Sequence, residues 1–206
     1  TITGSGGTSP LAAGIIVGAG ITVNLAYNKI HTISETALIT TTSPAVIGIS
    51  LTGGVNVTTH NNFVANLNAV NANLTDAIRG ISVTSTTLNS TYNLYYNSIH
   101  INSTSAVANF GTSGVYHTTS ATATTAALNM IDNIIVNTSA SGGTGFTAAY
   151  RRSDATLTNF AATSDYNLLY AGTPSATNVI FYDGTNTDIT LALYQARVIA
   201  RDANSI

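Results

Sequence analysis

Two short patterns recur along this 206-residue chain at one spacing, and that periodicity constrains the fold more than any other feature. Gly14-Ile-Ile-Val17 returns as Gly48-Ile-Ser-Leu51, Gly80-Ile-Ser-Val83 and Gly114-Val-Tyr-His117, at steps of 34, 32 and 34 residues. Thr147-Ala-Ala-Tyr150 reads as a weaker fifth copy. A second landmark follows each first one: Asn28-Lys-Ile30, Asn62-Phe-Val64, Asn97-Ser-Ile99, Asn133-Ile-Ile135 and Asn167-Leu-Leu169, spaced by 34 to 36 residues. Two independent landmarks keeping one period through five copies indicate stacked units, none of which buries its apolar face alone.

Composition decides what the units are made of. Only 7% of the residues are charged, and none lies between Glu35 and Asp76 or between Arg79 and Asp132. Exposed helix faces are usually carried by Lys, Glu and Arg, so a helical repeat is excluded. Thr, Asn and Ser supply more than a third of the chain and solvate a sheet surface instead. Around the landmarks the residues alternate as strands do: Val46, Ile47, Ile49, Leu51, then Asn97, Ile99, Ile101. Turn-prone clusters such as Thr52-Gly-Gly-Val-Asn56 and Ser141-Gly-Gly-Thr-Gly145 separate them.

The expected fold is therefore all-β, a right-handed parallel β-helix of about five coils in one domain spanning 1–206. Its coils begin near 14, 48, 80, 114 and 147, with Ile49 stacked between Ile15 and Ile81 at a strand spacing of about 4.8 Å. Asn28, Asn62, Asn97, Asn133 and Asn167 are expected at one corner of the coil. Asn tolerates the left-handed conformation there, and a stack of them exchanges amide hydrogen bonds as a structural ladder. The tail, 183–206, departs from the pattern. Asp188-Ile-Thr-Leu-Ala-Leu-Tyr-Gln-Ala-Arg-Val198 predicts a short helix, N-capped by Thr187 or Asp188 and with Arg197 in its last turn. The chain opens on Thr1 and is read as a segment of a longer polypeptide.

The repeated G-[IV]-x-[VL] and N-x-[IV] elements resemble the parallel β-helices of the pectin-lyase-like superfamily. Three stretches resemble, more narrowly, large secreted surface proteins of Bacteroidota-type bacteria. They are Tyr95-Tyr-Asn-Ser-Ile-His-Ile101; Asp132-Asn-Ile-Ile-Val-Asn-Thr138 with the glycine cluster after it; and Asn167-Leu-Leu-Tyr-Ala-Gly-Thr-Pro174 with Phe181-Tyr-Asp-Gly-Thr185. The resemblance implies an extracellular or bacterial cell-surface location and export by the type IX route. Its motifs are structural and imply little about activity.

Chemistry is sparse. A glycoside hydrolase needs carboxylates paired across a few ångströms. Of Glu35, Asp76, Asp132, Asp154, Asp165, Asp183, Asp188 and Asp202, no two stand at i, i+2 on one strand. The nearest approach to a lyase's basic centre is Arg151-Arg152 with Asp154, read as a solvated surface network. His31 and His100 share a register but lie two coils apart, about 10 Å, too far to share an ion, so no metal is expected. No cofactor is expected either.

Tyrosine is the more informative residue. Tyr27, Tyr96 and Tyr166 each precede a landmark Asn, and Tyr92, Tyr95 and Tyr96 crowd one rung. The latter three are the candidate sugar-stacking platform; the competing reading is an aromatic ladder along the cylinder. Thr84-Ser-Thr86 and Thr122-Ala-Thr124 are too few for an ice-binding array, and sequons at Asn56, Asn73, Asn89, Asn102 and Asn137 arise readily in such a composition. A net charge of −2 excludes nucleic-acid binding through phosphates. The longest apolar run, Leu11 to Ile21, is about half of the roughly 20 residues a span requires, so no membrane insertion is expected. The chain contains no cysteine and hence no disulfide.

The function expected is a non-catalytic structural or adhesive module of a secreted bacterial surface or filament protein. Its partners would be itself (end to end or laterally), other domains of its own chain, or a surface polysaccharide. The alternatives are a carbohydrate-binding β-helix using its tyrosines, and a polysaccharide lyase or hydrolase.

Overall fold

Ile15, Ile49 and Ile81 stand in a single column of paired strands, and Val115, Tyr150 and Phe181 continue it. The structure is a computed structural model that describes residues 2–4, 11–41 and 44–206. A short strand, β1 (Ile2–Gly4), precedes a parallel β-solenoid of about five turns. The first coil runs through β2 (Ala12–Val17), β3 (Thr22–Ala26) and β4 (Lys29–Glu35), the second through β5 (Val46–Leu51), β6 (Asn56–His60) and β7 (Phe63–Ala69). The third holds β8 (Leu74–Val83), β9 (Thr91–Tyr95) and β10 (Ser98–Ile101), the fourth β11 (Phe110–His117), β12 (Ala127–Ile131) and β13 (Ile134–Asn137). The fifth has β14 (Thr147–Arg152), single bridges at Phe160 and Asp165, and β15 (Leu168–Tyr170).

Each of the first four coils thus contributes one strand to each of three faces, and the fifth meets face two through its single bridges. Face one is β2-β5-β8-β11-β14 and beyond, face two β3-β6-β9-β12, and face three β1-β4-β7-β10-β13-β15. All pairings between coils named so far are parallel. Inward side chains such as Ile49, Ile81, Leu94, Ile99 and Leu128 are 0–1% exposed, each burial contributing about 2 kcal/mol. That burial exists only between neighbouring coils, so stability accrues by stacking.

The recurring glycine is a packing requirement. Gly80 points inward where face one passes close to face three, and a Cβ there would stand 2.5 Å from both the Gly114 oxygen and Ile99 Cγ2. The fifth landmark lies two residues later than the sequence suggests: Val115 pairs with Tyr150 and Ser113 with Ala148, so Ala149, not Thr147, takes the glycine's place.

After the fifth coil, β16 (Asn178–Tyr182) adds to face one, β17 (Thr187–Asp188) returns antiparallel to it, and α1 (Leu191–Val198) follows. The helix begins later than predicted. Asp188 is held in β17 and by Arg197, at 2.6 and 2.8 Å, leaving Thr190 as the N-cap that accepts the Leu193 N–H. Tyr194 and Val198 turn onto the interior beside Phe181 and Tyr150. The chain then rejoins face three, where Leu169 N–H donates to Ile206 O and Ile206 N–H to Asn167 O. Among the described residues no helix is long and apolar enough to cross a membrane.

Candidate functional site

Faces two and three meet at a two-residue corner, and its geometry separates the roles that the sequence assigned to one residue. The left-handed conformation falls on the residue before each landmark Asn: Tyr27 (φ 59°), Asn61 (52°), Tyr96 (55°), Asp132 (55°) and Tyr166 (59°). The landmark Asn itself turns inward. Asn28 Nδ2 donates to Asn62 Oδ1 (2.9 Å), Asn62 to Asn97 (3.0 Å), Asn97 to Asn133 (3.0 Å) and Asn133 to Asn167 (2.9 Å). Each acceptor oxygen also receives the backbone N–H of the Asn below it, at 3.0 to 3.1 Å. The ladder is real, and its last rung is an acid: Asn167 Nδ2 donates to Asp202 Oδ1 at 2.7 Å.

On the outside of this clamped corner the tyrosines are bare. Tyr27, Tyr96 and Tyr166 are 78%, 58% and 59% exposed. Left-handed backbone costs roughly 1–2 kcal/mol for an ordinary L-residue, whereas Asn and Asp adopt it routinely. Asn61 and Asp132 show that the corner accepts the cheaper residues, yet alternate coils carry Tyr. Strain of this kind collects at ligand-contacting sites.

Two coils separate consecutive tyrosines, about 10 Å at the strand spacing. They therefore do not stack on one another, and the aromatic-ladder reading fails; Tyr27 instead meets the His60 ring edge-on at 5.6 Å. Of the predicted platform, Tyr92 is withdrawn. It is fully buried and donates its hydroxyl to Gly54 O (3.0 Å), because the alternation along β9 turns it inward, and burial pushes its pKa up. Tyr95 and Tyr96 remain on the surface. The Tyr95 hydroxyl donates to Asn93 Oδ1 (2.9 Å) and accepts from Asn129 Nδ2 (2.8 Å). Asn24, Thr58, Asn93 and Asn129 form one outward file on face two beside the corner, and Thr163 extends it through its bond to Asn129. An aromatic edge flanked by a hydrogen-bonding strip suits the apolar faces and hydroxyl rims of sugar rings.

The remaining candidates hold the fold together. Glu35 accepts from Ala37 N, Asp183 closes the turn at Thr185 and Asn186, and Asp165 accepts from Asn204. The Thr119 hydroxyl and the Thr156 backbone N–H bind Asp154 and lower its pKa. The surface network read at Arg151-Arg152-Asp154 does not form, because adjacent strand residues point to opposite faces. Arg152 is buried inside, donating to His117 Nδ1 (2.6 Å), the Tyr150 hydroxyl (2.9 Å) and Asn159 Oδ1 (2.8 Å). Arg151 lies outside, 3.7 Å from Asp76. Burial and then the Arg152 charge hold the His117 pKa well below its ordinary value. His31 and His100 do share a file, with Ala65 between them. Among the described residues no three metal-ligating side chains come together. Thr84-Ser-Thr86 and Thr122-Ala-Thr124 lie in loops, and Asn137 is buried against Thr112.

The sequence reading missed the outer cluster of Asp76, Arg79, Tyr116, Arg151 and Tyr182 on face one. Its members sit on four successive strands of face one, β8, β11, β14 and β16, and only the strand register unites them: Ser82, Tyr116, Arg151 and Tyr182 form one file, Arg79 and Ser113 the next. Comparison with protein-family models, with curated proteins and with solved structures gives no match.

Proposed function

We propose that this chain is a non-catalytic structural and adhesive module of a secreted bacterial surface or filament protein, and that the tyrosine corner is its contact surface for polysaccharide. The observation that carries the reading is the triplet Tyr27, Tyr96 and Tyr166. Each is exposed, each sits in a backbone conformation that disfavours it, and all are fixed on the Asn ladder where Asn61 and Asp132 show a less strained alternative. A rigid edge with aromatic rings every second coil presents repeated stacking positions without loss of side-chain order. Low charge and a Thr, Asn and Ser surface suit an extracellular rod that resists indiscriminate attachment.

The test compares the wild-type chain with the triple variant Tyr27→Asn, Tyr96→Asn, Tyr166→Asn on a glycan array and in pull-down with insoluble polysaccharides. Asn is native to this corner, so the variant retains the fold, which circular dichroism checks. Binding by the wild type and its loss in the variant support the proposal. Equal binding by both, or binding to no glycan by either, overturns the adhesive role of the corner. Fractionation of the native organism with an antibody to this chain tests the location.

A further inference from the structure

We propose that the outer surface of face one carries an oxyanion site between Arg79 and Arg151, taking a carboxylate or sulfate group. Two guanidinium groups from neighbouring files are laid down on aromatic rings there: Arg79 lies 3.4 Å from the Tyr116 ring centroid and Arg151 lies 4.7 Å from that of Tyr182. Phe146 stacks beneath Tyr182 at 4.4 Å and fixes that ring. The groups border a cavity of about 230 Å³, large enough for a small anion and its waters.

Its charge is unbalanced. Asp76 gives one oxygen to Arg79 Nε at 2.7 Å and the other to the Ser113 hydroxyl at 2.6 Å, while Arg151 stands off at 3.7 Å. One carboxylate therefore faces two guanidinium groups whose side chains are only 9% and 14% exposed. Arg79 spends Nη1 on Ser82 and Arg151 spends Nη1 on Thr75 O. The Nη2 group of each, and Nε of Arg151, have no hydrogen-bond partner among the described residues. A planar or tetrahedral oxyanion accepts from Nη2 of Arg79 and from the Nε and Nη2 edge of Arg151 at once, giving these donors the charged acceptor that the protein does not supply. The rings hold both forks in place before the anion arrives, so little side-chain entropy is lost on binding.

The experiment is a titration of the full chain with sodium sulfate and with sodium acetate at constant ionic strength, read by calorimetry and by the thermal midpoint. Dextran sulfate and neutral dextran form a second arm. The site predicts saturable binding of the small anions and a weakening of at least tenfold in Arg151→Gln. Arg197→Gln, which alters an ion pair with Asp188 that does not line this cavity, retains the response. Binding of dextran sulfate but not neutral dextran identifies a polymer-borne anion as the source; response to the small salts alone identifies a free anion. No saturable binding, or equal binding in Arg151→Gln, overturns the proposal.

Discussion

Removing one rung from the middle of the Asn ladder is the sharpest test of how this molecule is held together. The Asn97 side chain makes four hydrogen bonds. It donates to Thr59 O (2.8 Å) and Asn133 Oδ1 (3.0 Å), and accepts from Asn62 N (3.1 Å) and Asn62 Nδ2 (3.0 Å). Asn97 is 0% exposed, so water cannot replace them. At about 1 kcal/mol per bond, Asn97→Ala loses roughly 4 kcal/mol, with the Asn62 N–H left buried and unpaired. That is a large share of a typical stability of about 5–15 kcal/mol. Asn28 stands at the first rung, partly buried, and among the described residues its side chain makes two bonds, to Ala26 O (3.2 Å) and Asn62 Oδ1 (2.9 Å). Asn28→Ala is expected to lose no more than about 2 kcal/mol. Urea unfolding of both variants measures the contrast. Equal losses, or a loss below about 1 kcal/mol for Asn97→Ala, would refute the claim that the ladder braces each coil against the next.

Three further outcomes are expected. Gly80→Ala forces a Cβ to within 2.5 Å of the Gly114 carbonyl and of Ile99, and is expected to cost about 1–3 kcal/mol in the same unfolding assay. Tyr96→Asn relieves left-handed strain and is expected to raise stability by about 1 kcal/mol while weakening polysaccharide binding. His117 has a folded-state pKa depressed below 6.5, so the unfolded chain binds the extra proton first. Stability is complete above pH 6.5 and falls below it, by up to about 1.4 kcal/mol per pH unit until the folded pKa is reached. His117→Gln is expected to flatten that segment of the stability–pH curve.

The fold was legible in the sequence because a solenoid writes its geometry as a period. Ile15, Ile49 and Ile81 lie in register as their spacing requires, and the five Asn bond in the predicted order. The fifth glycine position was not legible, since Ala149 fills it without a motif. The helix cap was misplaced because a distant partner, Arg197, holds Asp188 in extended structure. Surface assignments fared worse. Whether a tyrosine faces in or out depends on the parity of its position within a strand, which separates Tyr92 from Tyr95 only once the strand boundaries are known. Arg151 and Arg152 diverge by the same rule. The face-one cluster draws Asp76, Tyr116 and Arg151 from three coils, and composition alone does not reveal it.

The ladder also has a direction. In each amide-to-amide bond the lower Asn donates through its nitrogen and the upper one accepts through its oxygen, so this relay runs one way from Asn28 to Asn167. Asp202 receives but has no amide hydrogen to pass on. The Tyr194 and Ser205 hydroxyls, at 2.5 and 2.7 Å, point donors back at it. A carboxylate in this place acts as a terminator. Any attempt to graft another winding onto this end would first have to restore an amide at position 202 and lift Tyr194 away from it.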